Sequence, residues 1–117
     1  DLTSSGITVH VYQISPYQSD NSFDHPTAGY HRLAAEISMR NDSNEVFRPY
    51  PAAIEILDDE GHRFGTGGMP PSPSFGSDGL YSGDIARGWM SFEVPIEMNS
   101  GTLNFNIRRG PPVRVKF

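Results

Sequence analysis

The stretch Gly88-Trp89-Met90-Ser91-Phe92-Glu93-Val94-Pro95 alternates with a period of two. Gly88, Met90, Phe92 and Val94 fall on one side, and Trp89, Ser91 and Glu93 on the other, as successive side chains of a strand must. Pro95 removes a backbone donor and stops the ladder. Far upstream, Leu33-Ala34-Ala35-Glu36-Ile37-Ser38-Met39-Arg40-Asn41-Asp42 repeats the pattern. Leu33, Ala35, Ile37 and Met39 point inward; Arg32, Ala34, Glu36, Ser38 and Arg40 point outward. Two long half-apolar strands predict an antiparallel β-sandwich, whose stacked sheets hide their apolar faces from water.

Working outward, Gly6 to Tyr12 reads as the first strand, with Ile7, Val9 and Val11 on its apolar face. Ile14 breaks the parity, which predicts a bulge or strand end near Gln13. Ser15 to Gly29 is a long polar loop. Asn41-Asp42-Ser43-Asn44 is a turn signal, because short polar side chains bond nearby backbone. Pro49-Tyr50-Pro51 is extended, since each proline pushes its predecessor toward β or polyproline II. Ala52, Ile54 and Ile56 mark a third strand, and Asp58-Asp59-Glu60-Gly61 turns the chain into a short return strand anchored by Phe64. Gly67 to Gly79 is rich in Gly, Pro and Ser and carries no apolar period, so it reads as an irregular surface loop. Leu103, Phe105 and Ile107 form a sixth strand, and Val113, Val115 and Phe117 a last one. The result is an all-β chain of about seven strands without a helix, with residues 1–117 forming one domain.

Composition narrows the function. The net charge of −5 over 117 residues argues against nucleic acid as a partner, which wants a Lys/Arg-rich face, and against attachment to anionic lipid. Cysteine is absent, and a domain of this size buries enough surface to fold without disulfides or metal. No run of about 18 apolar residues is present to span a bilayer. The chain starts at Asp1 rather than Met, so a signal or lipid anchor would lie upstream of it.

Three pieces in order resemble the bacterial DUF4352 family, an Ig-like sandwich group that includes the secreted mycobacterial antigens of the MPT63 type. They are the strand ending Arg40-Asn41-Asp42, the hairpin Ile54-x-Ile56-x-Asp58-Asp59-Glu60-Gly61, and Gly83-Asp84-Ile85-Ala86-Arg87-Gly88-Trp89-Met90-Ser91-Phe92-Glu93-Val94-Pro95. A final Leu103-x-Phe105 strand follows. The resemblance implies an Ig-like fold, export from the cytoplasm and often a lipoprotein anchor. It carries over no catalytic residue. The Gly67 to Gly79 insertion and the Val113 to Phe117 strand depart from the family pattern.

The candidate binding side chains are aromatic: Trp89, Tyr81, Tyr50, Tyr17 and Phe23. Large aromatics dominate interface energetics and give sugars a stacking face. Trp89, on the less apolar side of its strand, either serves such a contact or lies under the Gly67 to Gly79 loop. Asp20, Asp24 and His25 are candidate metal ligands, since carboxylate and imidazole bind Zn²⁺ or Ca²⁺. Their spacing matches neither an EF-hand nor a zinc-protease helix, and a solvated polar loop is the favoured explanation of them. The acidic tip Asp58-Asp59-Glu60 reads as a turn, and Arg108-Arg109-Gly110 as a basic one. Asp84 and Glu93 would form a carboxylate pair only if folding brought them within a few ångströms.

No Cys nucleophile, serine elbow or P-loop lysine appears. The expectation is therefore a non-enzymatic, extracytoplasmic Ig-like binding module without a cofactor, contacting an unknown protein or envelope ligand. The alternatives are a carbohydrate- or metal-binding accessory domain of the cell envelope and, further off, a small hydrolase.

Overall fold

A computed structural model describes residues 2–76, 78–107 and 109–117. Among them lie eight strands: β1 (Leu2–Ser4), β2 (Ile7–Tyr17), β3 (Tyr30–Asn41), β4 (Ile54–Leu57), β5 (Arg63–Phe64), β6 (Ile85–Pro95), β7 (Thr102–Phe105) and β8 (Val113–Lys116). One sheet has the order β1-β2-β3-β6 and the other β5-β4-β7-β8, with every ladder antiparallel. The chain is the β-sandwich that the alternation predicts.

The extra strand, β1, is three residues long, too short to leave a periodic trace. It joins β2 through Ser5 and Gly6, both at positive φ, the two-residue hairpin turn whose twist matches that of the strands. The pairing of β2 with β3 shifts between Val11 and Gln13, where the sequence parity breaks. After that bulge β2 continues to Tyr17, further than predicted, so the following loop is shorter. Pro51–Ala53 forms a 3-10 turn ahead of β4, and Ile107 lies beyond β7 although its side chain is buried.

The core lies between the sheets. Phe92 and Phe105 are its largest fully buried side chains, packed with Ile37, Ile56, Leu103 and Val94. Removing a side chain of that size from water stabilises the fold by about 1.5–3 kcal/mol each. The other side of β3 is not solvated as the alternation suggests: Arg32, Ala34 and Ser38 are buried.

Part of that cover is the 65–75 segment, irregular as its composition predicts but tied to β6 by isolated bridges; of the Gly67 to Gly79 stretch, only Ser77 lies outside the described residues. It runs along the free edge of β6. Gly67 N–H donates to the Ser91 carbonyl at 3.0 Å, Trp89 N–H to the Pro73 carbonyl at 2.9 Å, and Phe75 N–H to the Trp89 carbonyl at 2.8 Å. Ser91 Oγ donates to the Gly67 carbonyl at 2.6 Å. Phe75 and Leu80 enter the core. The approach demands glycine at position 88, where a Cβ would sit 2.6 Å from the Phe75 nitrogen. A segment without apolar period is held by backbone pairing and one aromatic plug, neither of which composition reveals.

Candidate functional site

At the end where β3 finishes and β4 begins, the two sheets leave between them an open cleft of about 580 Å³. Its floor is apolar: Ile7 and Met39 come from one sheet, Ile54 and Phe105 from the other, with Ile107 beside them. One wall is the 43–50 segment, and Asn41 fixes it. The Asn41 side chain is fully buried. Its Nδ2 donates to the carbonyls of Glu45 at 2.7 Å and Leu80 at 2.8 Å, and its Oδ1 accepts from Ser43 N–H at 2.9 Å and Ser43 Oγ at 2.6 Å. Both amide protons and both lone pairs of the carboxamide are thereby used. Phe47 and Leu80 exchange backbone hydrogen bonds at 2.9 and 2.7 Å, tying the wall to the core. Tyr50 is then extended between its two prolines and carries the chain to Ala53 on the far side.

Glu45, Arg48 and Arg109 supply the charge at the mouth. Arg109 Nη1 donates to Glu45 Oε2 at 3.4 Å, both side chains well exposed, so the pair contributes little. Arg48 has no ion-pair partner among the described residues. A cleft of this volume is in the range of small-molecule sites.

The opposite end is built differently. Arg32, only 7 % exposed, lies under the two long loops. Its Nη1 donates to Asp24 Oδ1 at 2.6 Å and its Nη2 reaches Glu93 Oε1 at 3.5 Å. Asp24 Oδ2 accepts from Met69 N–H at 2.9 Å, and Glu93 accepts from Thr27 N–H and Thr27 Oγ1 at 3.1 and 3.0 Å. Gly68, at φ +72°, presses on the guanidinium so closely that a Cβ there would overlap it. The Met69 N–H and Arg32 together hold the Asp24 carboxyl below the usual carboxylate range. A smaller recess of about 290 Å³ lies beside this clamp.

The aromatic candidates do not share one surface. Tyr50, 69 % exposed, stands at the cleft mouth. Tyr81, 67 % exposed, lies on the turn that leads into β6. Tyr17 is half-buried and lines the small recess. Phe23 is 92 % exposed on its loop. Trp89 is half-buried, with both its backbone groups taken by the 65–75 segment.

Of the metal candidates, Asp24 and His25 line the small recess, while Asp20 is exposed and does not. The Asp24 carboxylate is engaged by Arg32 and Met69, and no three His, Asp or Glu side chains among the described residues group so as to hold a metal ion. Asp84 and Glu93 stand about nine strand positions apart along β6, roughly 30 Å, and form no pair. At the acidic tip, Asp58 Oδ1 accepts from the N–H groups of Glu60 and His62 at 2.9 and 2.8 Å, which makes it a turn residue. Arg108 lies outside the described residues; Arg109 is at the cleft mouth.

Sequence reasoning found one cleft residue, Tyr50. It passed over Val46, Phe47 and Arg48, whose apolar pair between a turn and a proline segment was the available signal.

Residues 3–113 match the family DUF4352, described as a domain of unknown function. The fold is similar to that of a candidate lipoprotein, ycdA, from Bacillus subtilis: TM-score 0.78, 12 % identity, covering 98 % of this chain and 37 % of that one. The chain thus spans little more than a third of that protein's length. It is also similar to the secreted protein MPT63 of Mycobacterium tuberculosis, with TM-score 0.72 and 12 % identity over 95 % of this chain and 82 % of the other. A functionally unknown Listeria monocytogenes protein matches with TM-score 0.67 and 15 % identity over 99 % and 79 %. No curated protein matches the sequence.

Proposed function

The chain belongs to the DUF4352 family, and from that premise we propose that it acts outside the cytoplasm as a binding module rather than an enzyme, holding its ligand in the cleft between the sheets. One observation carries the reading: the sandwich leaves a cleft of about 580 Å³ against its core at the Asn41 end and spends a fully satisfied buried asparagine on keeping the cleft wall in place. The accessible apolar lining is Val46, Phe47, Tyr50 and Ala53, and a recess of this volume with a few polar groups around it is of the kind that takes a small ligand. Export is supported by the company of similar folds, a secreted protein and a candidate lipoprotein.

The test is a fragment screen by amide chemical shifts on the whole chain, paired with Ala53→Phe, which fills the cleft from its half-buried rim. Hits are expected to move the amides of residues 43–50 and 105–107 and to be lost in the variant while the remaining spectrum persists. Hits confined to the loops around Phe23 and Met69 would transfer the binding function to the other end. Fractionation of cells making the full gene product checks the compartment: recovery in the cytosol would refute export.

A further inference from the structure

We propose that the free edge of β2, residues 11–17, pairs with the same edge of a second copy of this chain across a two-fold axis at Ile14. This is independent of the reading of the cleft.

β1 covers β2 only as far as Val9, whereas β2 runs on to Tyr17. Beyond Val9 the only strand beside it among the described residues is β3. In an antiparallel ladder one residue turns both its N–H and its C=O to one neighbour, and the next residue turns them to the other. Trp89 spends both on the 65–75 segment, so Glu36, opposite Trp89, turns to β2 and bonds Gln13. Ile14 therefore turns its N–H and C=O away from β3, and Pro16 does the same with its C=O. No backbone group of the described residues outside the strands bonds them. Side chains leave this edge uncovered as well. Tyr12 lies back over the sheet, its hydroxyl donating to Ser38 Oγ at 3.3 Å and its ring 3.7 Å beneath the Arg87 guanidinium. Gln13 Nε2 likewise turns to Glu36 Oε1 at 3.0 Å.

The chemistry of the edge selects its partner. Val11-Tyr12-Gln13-Ile14-Ser15-Pro16-Tyr17 carries no charge, in a chain where 20 % of residues are charged. The outer strands of the other sheet are guarded: β8 has Arg114 and Lys116, and β5 is two residues long and has Arg63. Charge and shortness are the usual defences against strand addition, and this part of β2 has neither. Pairing about a two-fold axis sets a segment against itself, so any charge would meet its like; a neutral segment avoids that. With Ile14 on the axis, its N–H and C=O bond the C=O and N–H of Ile14 in the second copy, and Gln13 stands opposite Ser15. Pro16 has no N–H to give, so the ladder is short. A two-fold pair uses the edge up, and assembly stops at two.

The experiment follows the whole chain by translational diffusion and amide chemical shifts from about 10 µM to about 1 mM, since so small a contact implies a Kd on the order of 0.1–1 mM. Diffusion is expected to slow from monomer toward dimer and no further. Amides 11–17 should shift with concentration while 43–50 stay fixed, and the Ile14 amide should gain protection. Gln13→Lys with Ser15→Lys, both at exposed positions and so compatible with folding, sets like charges face to face and should weaken pairing about tenfold. Gln13→Glu with Ser15→Glu should do the same, and an equimolar mixture of the two variants should pair again. Monomer throughout, species larger than a dimer, shifts confined to other strands, or indifference to the paired lysines would each overturn the proposal. An Ile14 amide already protected at the lowest concentration would show the edge filled within one chain, and would overturn it too.

Discussion

At the Arg32 end of β3 the chain folds two loops over the sheets and locks them with a buried ion-pair network; at the Asn41 end, about 30 Å away along the same strand, it leaves a cleft beside the core. Both ends hinge on one buried polar side chain of β3. Arg32 gathers carboxylates from β6 and from a loop, and so draws separate segments together. Asn41 gathers carbonyls and hydroxyls, and so holds one wall upright without pulling it inward. The difference teaches that closure here is a matter of charge. Where a cation sits under the loops, acidic groups fold down onto it; where the buried group is neutral, the wall stays open.

The comparison breaks first at Arg32. Arg32→Met leaves Asp24 and Glu93 without their cation and is expected to cost about 2–3 kcal/mol in urea unfolding, less than a fully buried pair because Glu93 keeps contact with water. Amide protection should fall at residues 24–27 and 68–69 and hold at 43–50. Equal loss at both ends would show that they are not independent.

Asn41→Ala removes four hydrogen bonds at once, two to the Glu45 and Leu80 carbonyls and two from Ser43, and should cost about 2 kcal/mol. Its signature is the reverse: collapse of the cleft wall with the Arg32 clamp intact.

Acid sharpens the contrast. Asp24 is held below its ordinary value of 3.8 by Met69 N–H and Arg32, so the folded form favours the ionised carboxylate. The stability this gives is fully present above that ordinary value and disappears as pH falls through the folded one. Below pH 3.8 the Met69 amide should therefore gain exchange while the Asn41 side-chain contacts, none of them to a carboxylate, are unchanged even as the neighbouring Asp42, likewise held low by Arg40 and Thr8, is protonated. Simultaneous loosening of the Asn41 amide contacts would contradict this.

The smallest effect belongs to Tyr50→Ala. With the side chain 69 % exposed, stability should change by less than about 0.5 kcal/mol, and only ligand affinity should drop. A larger loss in thermal unfolding would make Tyr50 a structural residue.

Much of the fold was legible because alternation is a local property. Leu33 to Met39 and Met90 to Val94 announce their buried side without reference to anything else, and both occupy the core as the pattern predicts. What escaped was non-local. The burial of Arg32 is written in Asp24, Gly68 and Glu93, three segments that only folding brings together. The 65–75 segment hid behind its composition, since backbone pairing to β6 leaves no side-chain period. The cleft was hardest to see, because Ile7, Met39, Ile54 and Phe105 read as core, are core, and carry no local mark of the recess beside them.

The dressing of β6 has a consequence for life in a crowded setting. An eleven-residue strand with a bare margin would recruit the matching margin of any neighbour and seed cross-β growth. Here that margin is already occupied by the chain itself, and the occupying segment carries Pro70, Pro71 and Pro73, which have no N–H to offer a newcomer. Many copies side by side would meet a border that cannot be extended.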